Sequence, residues 1–450
     1  MSLRRRVLEY LRSRLADDRL PLRLIFGDGE CFDFAAAPSV TITLRSSRLL
    51  RMLFRGDFAR LGDAYVAGDL AVEGPVEDIL HAGIVLAERV GKSSAVKRLS
   101  RLGRLVPRRH SRRQDAADVS YHYDVGNDFY RLWLDENLIY SCAYFVNGTE
   151  DIDTAQRQKL DHICRKLMLK PGERLLDLGC GWGGLLRLAA RHYGVSGVGI
   201  TLSQPQYAFA RQSLAADQLT DKVEIRLMDY RDLNEWEAYD KIVSVGMYEH
   251  VGLRNLPLYF ATASRLLRPG GAFLQQGIVA TDAEGAVKGP AGGEFIDRYV
   301  FPGGAVPHLS RTVFELARAG LELADAEDLR PHYARTLLHW TRRLEARREE
   351  AIRAAGDKHY RIWLIYLAGM AHAFDRGWLS VAQVLAFKPA ANGVVRRPWT
   401  RGYQYARPSD PLRAGSVPFA GRLNWDRRDF SAVPSGSLAA ADQPSLSLQD

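Results

Sequence analysis

The sequence predicts an α/β protein, a doubly wound parallel sheet with helices on both faces, preceded by a small α+β domain. Three observations predict it. From about residue 116 to 389, short apolar runs alternate with glycine turns and helical periodicity, the pattern of strands joined by crossover helices. The segment ERLLDLGCGWGGLLRLAARHYG sets several glycines between one such run and a helix, the place where doubly wound sheets bind ligands. Ahead of this region, Leu22–Phe26 and Val40–Leu44 read as strands among short helical patterns.

A chain of 450 residues exceeds a single core, so more than one domain is expected. The composition divides it into residues 1–115, a small α+β accessory domain ending in a basic linker, expected to bind lipid on the grounds given below; 116–390, the larger domain; and 391–450, an extended basic tail rich in Pro and Ser. In the larger domain, Arg174–Leu178 is predicted as a strand, 185–192 as a helix and 197–200 as the next strand. A helix over 206–217 and strands at Val223–Leu227, 241–245 and 272–276 follow. The last thirty or so residues are too polar and too interrupted to pack and are expected to be disordered.

Composition narrows the function classes. The hydrophobic fraction is 46%, and the longest nearly uncharged apolar run, 362–374, falls short of the about 20 residues that cross a bilayer. The N-terminus MSLRRRVLEYLRSRLADD has neither an uninterrupted apolar core nor a small-residue cleavage site, which argues for a cytoplasmic protein. Cys31, Cys142, Cys164 and Cys180 form no C-x-x-C pair, so neither disulfides nor structural zinc is expected. Asp161, His162 and Cys164 share a helix at spacings that do not converge on a metal. The formal charge of +9 favours an anionic partner. Between residues 97 and 113, eight Lys and Arg alternate with Leu99, Leu102 and Leu105. That is either a basic amphipathic helix lying on an anionic membrane or a solvated linker.

The glycine loop carries chemistry. Gly179, Gly181, Gly183 and Gly184 follow Asp177 at the carboxyl end of a buried strand, and residues without Cβ let a ligand approach the backbone. Such a loop alone serves NAD enzymes too. Two details favour S-adenosylmethionine: Asp177 suits an ammonium and would repel a pyrophosphate, and the next strand ends GITLS with no carboxylate for a ribose. Thr201 and Gln206 are then the ribose partners, and Asp229 with Tyr230 flanks the adenine. The bland alternative is that the glycines serve only a tight turn.

The motifs YHYDVGNDFYRLWLDENLIYSCAYF, LLDLGCGWGG, GITLSQPQ, DKIVSVGMYEHVG and RYVFPGGAVP occur in this order. Together they resemble the cyclopropane-fatty-acyl-phospholipid synthases and the mycolic acid cyclopropane synthases. The earlier LGDAYVAGDLAVEGPVEDIL resembles the amino-terminal domain of the phospholipid-acting branch. The resemblance implies a seven-stranded class I methyltransferase (Rossmann-like) sheet with a helical cover enclosing an acyl chain. It implies cofactor contacts at Tyr140, Ser141, Asp177, Gly179, Cys180, Gly181, Gly183, Thr201, Leu202, Gln206, Asp229 and Tyr230. The implied chemistry is methyl transfer to the cis double bond of an unsaturated phospholipid acyl chain, through a carbocation, to give a cyclopropane ring. The implied base is bicarbonate, held at Cys142, Glu249 and Tyr333, with Gln276 and Ile278 on the strand that follows. Tyr140, Tyr144, Phe145, Tyr248 and Tyr299 are candidate aromatic faces for the cation, and His250 reads as a structural neighbour of Glu249.

Two positions depart from the family pattern. Gln276 stands where a histidine is usual, and an amide donates a hydrogen bond but relays no proton. Met370 stands at a cysteine position, and a thioether is neither nucleophile nor base. A methyl-branched or methylene product, or a weakly catalytic S-adenosylmethionine- and lipid-binding protein, are therefore the rival readings. Nucleic acid is not the expected partner, because GMYEHVG occupies the place of an N-P-P-Y-type motif. The expected setting is peripheral, at the inner face of an anionic membrane, with a homodimer compatible with the sequence.

Overall fold

The computed structural model describes residues 3–15, 20–55, 57–90, 111–123, 125–283, 292–302 and 304–405. Most of the basic stretch 97–113 and everything after 405, including the expected disordered end, lie outside the described residues.

The N-terminal region runs α1 (Leu3–Arg14), β1 (Leu22–Phe26), β2 (Cys31–Asp33), β3 (Val40–Leu44), α2 (Ser47–Arg55), α3 (Phe58–Ala67), β4 (Leu70–Glu73) and α4 (Val76–Val90). Its strands form one sheet in the order β2-β1-β3-β4, with β1 and β3 parallel and the outer pairs antiparallel. Leu22, Leu24 and Phe26 alternate inward from β1 onto a core that includes Leu8, Val40, Leu53 and Leu86. That is the two-residue period expected of a half-buried strand.

Then come α5 (Arg112–Tyr123), α6 (Asn127–Arg131), α7 (Ile152–Lys166), β5 (Arg174–Leu178), α8 (Gly184–Tyr193), β6 (Ser196–Thr201), α9 (Gln204–Ala216), β7 (Val223–Leu227) and β8 (Tyr239–Val245). The chain continues through α10 (Leu256–Leu266), β9 (Leu267–Ala280), α11 (Gly292–Tyr299), α12 (Leu309–Arg318), β10 (Glu322–Asp328), α13 (Arg330–Ala346), α14 (Arg348–Asp375, broken at Gly356), β11 (Leu379–Phe387) and α15 (Gly402–Tyr405). The seven-stranded sheet has the order β10-β11-β9-β8-β5-β6-β7. Strands β7, β6, β5, β8 and β9 are mutually parallel, and β11 runs antiparallel to both neighbours. The parallel sheet read from the sequence covers these five strands, and β11 and β10 extend it at one edge into a mixed seven-stranded sheet. Strand β9 is also longer than the expected 272–276, because it starts before the Pro-Gly-Gly turn signal and pairs with β11 along its whole buried length.

Two cores flank the sheet. One, under α10 and α12, holds Tyr259, Phe260 and Phe273. The other joins α6, α13 and α14 through Trp133, Trp340, Trp363 and Tyr366, and the apolar run 362–374 belongs to it. No helix among the described residues is long and apolar enough to cross a membrane.

Polar contacts tie the N-terminal region to the larger domain. Asp63 on α3 pairs with Arg298 at 2.6 Å and accepts from the Tyr299 hydroxyl at 2.9 Å, while Glu77 pairs with Arg342. Arg112, from the end of the basic stretch, pairs with Asp232. The first part of the tail, 391–405, does not extend away. Arg401 pairs with Asp325 on β10 and Gln404 is buried.

Candidate active site

Three segments converge at the carboxyl ends of β5, β6 and β8. The first is the loop after β5. Gly179 has a φ of +94°, and a Cβ there would stand 2.8 Å from the Met247 Cβ, so only glycine fits between the strand and the opposite turn. Gly183 caps α8. Asp177 is buried, burial pushes its carboxyl up to about 7, and its Oδ1 has no hydrogen-bond partner among the described residues. Leaving a buried carboxylate oxygen unpaired is costly, and a cationic ligand group would relieve it.

The second segment is the loop 139–145, which α7 and α13 hold on both sides. Gln156 Nε2 donates to the carbonyls of Ile139 and Ser141, at 3.2 and 2.9 Å. Lys159 Nζ donates to Ser141 Oγ at 2.9 Å. From the other side, Thr336 Oγ1 accepts from the Ala143 N–H and His332 Nδ1 from the Phe145 N–H. The third segment is the turn Tyr248–His250 after β8. Glu249 Oε1 accepts from the Ile278 N–H on β9 at 2.8 Å, while Oε2 is buried with no hydrogen-bond partner among the described residues.

Between these segments lies a cleft. Tyr140, Ser141, Asp177, Gly179, Cys180 and Gly181 line one side, and Thr201, Leu202, Gln206, Asp229 and Tyr230 the other. Of the sequence-predicted contacts only Gly183 is set back, at the helix cap. Thr201 Oγ1 donates to Gln206 Oε1 at 2.8 Å, and the Gln206 side chain also hydrogen-bonds to the Tyr123 hydroxyl. Asp229 accepts from Arg231 Nε at 2.8 Å and from its Nη2 at 2.5 Å.

Glu249, Ile278, Gln276, Cys142 and Tyr333 do not line the cleft; Glu249 accepts from the Ile278 N–H, and Tyr333 lies near Cys142 and Glu249. Met247 and His250, from the same turn as Glu249, do line it. Burial pushes Glu249 up to about 7. Tyr333 is buried and its phenol raised well above its usual range, first by burial and then by the nearby Tyr366, Cys142 and Glu249. Burial likewise raises the Cys142 thiol, which donates to the Ala143 carbonyl, so the sulfur stays protonated. Gln276 Oε1 accepts from Gln383 Nε2 at 2.8 Å, which commits its carbonyl and leaves its amide as the donor.

Of the five candidate aromatic faces, Tyr140 alone lines the cleft. Tyr144 turns its hydroxyl to Glu327, Phe145 stacks on His339, and Tyr299 reaches Asp63. Tyr248 lies on the far side of the sheet, over Gly277. The rings that surround Tyr140 are instead Tyr130, Trp133, Trp340 and Trp363. Asp161 and His162 also face away, toward Tyr193 and Glu327 respectively.

Two buried polar groups escaped the sequence reading. His122 donates from Nδ1 to the Val300 carbonyl at 2.8 Å and stacks on Phe301. Burial and His250 push its pKa down to about 3, so the ring is neutral and presents Nε2 as an acceptor. The YHYD motif held the signal for it. Lys159 had none, because a lysine in a polar helix reads as exposed.

With this geometry in place, the comparisons decide the family. Residues 110–384 match the mycolic acid cyclopropane synthetase family. The chain belongs to it. It is 45% identical over 399 residues to a "Probable fatty acid methyltransferase" of Pseudomonas putida, spanning 89% of this chain and all of that protein. It is 37% identical over 273 residues to the cyclopropane-fatty-acyl-phospholipid synthase of Escherichia coli K12, 61% of this chain and 68% of that one. A crystal structure of a mycolic acid cyclopropane synthase complexed with SAH and CTAB superposes with a TM-score of 0.58 at 34% identity, covering 61% of this chain and 98% of that one. The fold is therefore the class I S-adenosylmethionine-dependent methyltransferase fold, with a small α+β region ahead of it, and the protein is a methyltransferase of the cyclopropane synthase family.

Proposed function

We propose that this methyltransferase acts on the cis double bond of an unsaturated phospholipid acyl chain and forms a cyclopropane ring, working peripherally at the inner face of the membrane. The observation that carries the proposal is one turn with two faces: Met247 and His250 border the cofactor cleft, and Glu249 between them presents a buried, unpartnered carboxylate oxygen. A solved relative complexed with SAH and CTAB, an alkylammonium detergent, supports a cleft of this kind beside a long alkyl chain.

S-adenosylmethionine, when bound, offers an electrophilic methyl to the alkene's π electrons and leaves positive charge on the acyl chain. Asp177 would pair with the cofactor's ammonium, Thr201 and Gln206 would hold its ribose, and Tyr230 would border its adenine. The face of Tyr140, which lines the cleft, would stabilise the cation by about 2 kcal/mol when desolvated. The buried aromatic core around Tyr140, with Trp133, Trp340 and Trp363, would keep water away from that side of Tyr140, where it would otherwise trap the cation. Glu249, poised near neutrality, accepts or shares the proton that ring closure releases. Protonated Glu249 and the Gln276 amide are also the donors a bicarbonate would need, since two anions cannot share the pocket unprotonated.

The chemistry is tested by mass spectrometry of acyl chains after incubating the protein with S-adenosylmethionine and vesicles of unsaturated phospholipid. A gain of about 14 mass units, the mass of one CH₂ in the atom balance of methyl transfer with proton loss, and loss of the alkene are expected. Unchanged lipid would overturn the substrate. Gln276 and Met370 favour the second reading, in which the same cation loses a different proton to leave a methylene branch or a methyl branch beside a shifted double bond, isomers of the ring with the same mass gain that retention against standards separates from it.

Asp177→Asn gives a further expected result. In the ligand-free protein the raised carboxyl pKa favours the fold below the unfolded value near 4, and that advantage is lost as pH rises through about 7. At pH 8 the neutral variant should therefore melt higher than the wild type, yet bind SAH at least about 30-fold more weakly through loss of the charged hydrogen bond. Isothermal titration and thermal melts read both. Unchanged SAH affinity would remove Asp177 from the ligand site.

A further inference from the structure

Helix α7 carries two fully buried lysines, and their surroundings differ. Lys166 is paired with Glu327 at 2.5 Å and with Asp325 at 3.4 Å, as a buried structural cation should be. Lys159 is as deeply buried, yet among the described residues the hydrogen bond its ammonium makes is to a neutral group, Ser141 Oγ at 2.9 Å. Asp177 and Asp135 are near enough to act on its charge but make no direct ion pair with it. Lys159 also lines the cofactor cleft, at the end where Ser141 and Asp177 lie. The other long cation lining the cleft, Arg231, is spent on Asp115 and Asp229, at 2.9 and 2.5 Å. A buried ammonium that faces a ligand cleft, hydrogen-bonded to a neutral hydroxyl and with its nearby carboxylates acting only through space, has room for an anion in direct contact.

We propose that Lys159 is the cationic anchor for the α-carboxylate of S-adenosylmethionine, acting directly and through the Ser141 hydroxyl that it orients. Asp177 and Lys159 then form a matched pair for a zwitterion, the acid for its ammonium and the lysine for its carboxylate. The inference rests on reading the cleft as the S-adenosylmethionine site, and it goes further by assigning one end of the ligand to a residue outside every motif. Burial holds Lys159 down at about 8, so an arriving carboxylate also strengthens the charged form of the lysine.

The test compares two ligands that share the adenosine and differ at the amino-acid end, SAH and methylthioadenosine. Lys159→Met keeps the length and apolar stem and removes the charge, and Lys159→Gln keeps a donor for Ser141 as well. Calorimetric titration of the full chain should show SAH binding weakened about 30-fold or more in both variants, with methylthioadenosine binding within about twofold of the wild type, as for a ligand that lacks the group the lysine recognises. Equal weakening of both ligands in both variants would reduce Lys159 to a packing role and overturn the proposal, and so would SAH binding that is unchanged. Failure of the wild-type protein to bind either ligand would overturn the reading of the cleft itself, and the lysine's role with it.

Discussion

Glu249→Gln should abolish turnover while leaving cofactor binding and the fold intact. The substitution is isosteric, and its amide oxygen can still accept the Ile278 N–H that Glu249 Oε1 accepts at 2.8 Å. What it loses is the proton chemistry of a carboxyl that burial has raised from 4.5 to about 7. A positioned general base is worth about 10²–10⁴ in rate, and a loss of that size in kcat with an SAH affinity within about threefold is the expected pattern. Stability supplies an independent sign. Because the folded pKa lies above the unfolded one, Glu249 favours the fold below about pH 4.5 and loses that advantage as pH rises through about 7. Above pH 7 the wild type has given up roughly 3 kcal/mol that the glutamine variant never had to lose. The variant should therefore be inactive and, at pH 8, more resistant to heat. Turnover within about fivefold of the wild type would remove Glu249 from the proton path.

The sequence showed best what local chemistry decides. Strands β5 and β7 were readable to the residue, because short apolar runs bounded by turn signals have few other uses. The cofactor loop was readable because its glycines and acid are contiguous. Strand β11, LSVAQVLAF, is buried along its whole length, and a continuous apolar run looks the same whether it is a central strand or a buried helix. Strand β10, ELADAED, reads as a polar loop. Its carboxylates become tolerable in a sheet only because Lys166, His162 and Arg401 arrive from distant segments. The same limit applied at the site. Glu249 lay in a motif, whereas Lys159 gained its meaning only when α7 folded against the loop 139–145. The placement of the aromatic candidates had the same limit: in the tight turn after β8, Tyr248 is buried in the core under α10 while Met247 and His250 line the cleft, a division that sequence spacing does not show.

That placement of Tyr248 makes Gly277→Ala the most disruptive small change in the site. Gly277 lies in the middle of β9, in register with Ala382 of β11, so its backbone is held by the sheet. A Cβ added there would lie 1.9 Å from Tyr248 Cε1 and 2.4 Å from Cδ1. Tyr248 cannot swing aside freely. It is 1% exposed, packed against the core under α10, and its hydroxyl donates to the Ile278 carbonyl at 2.8 Å. Overpacking of this kind costs about 1–3 kcal/mol or more, and the structure relieves it by moving the turn that carries Glu249, one residue along. Gly277→Ala should thus lower the melting temperature and reduce kcat by about 10²-fold or more, as misplacing a catalytic group by about 1 Å does. In a Tyr248→Ala background, where the ring is gone, the same substitution should cost little further stability, because residues in contact are not additive. Equal destabilisation in both backgrounds would show that the strand and not the ring is the obstacle. The link from β9 through Tyr248 to Glu249 would then not be what holds the carboxyl in place.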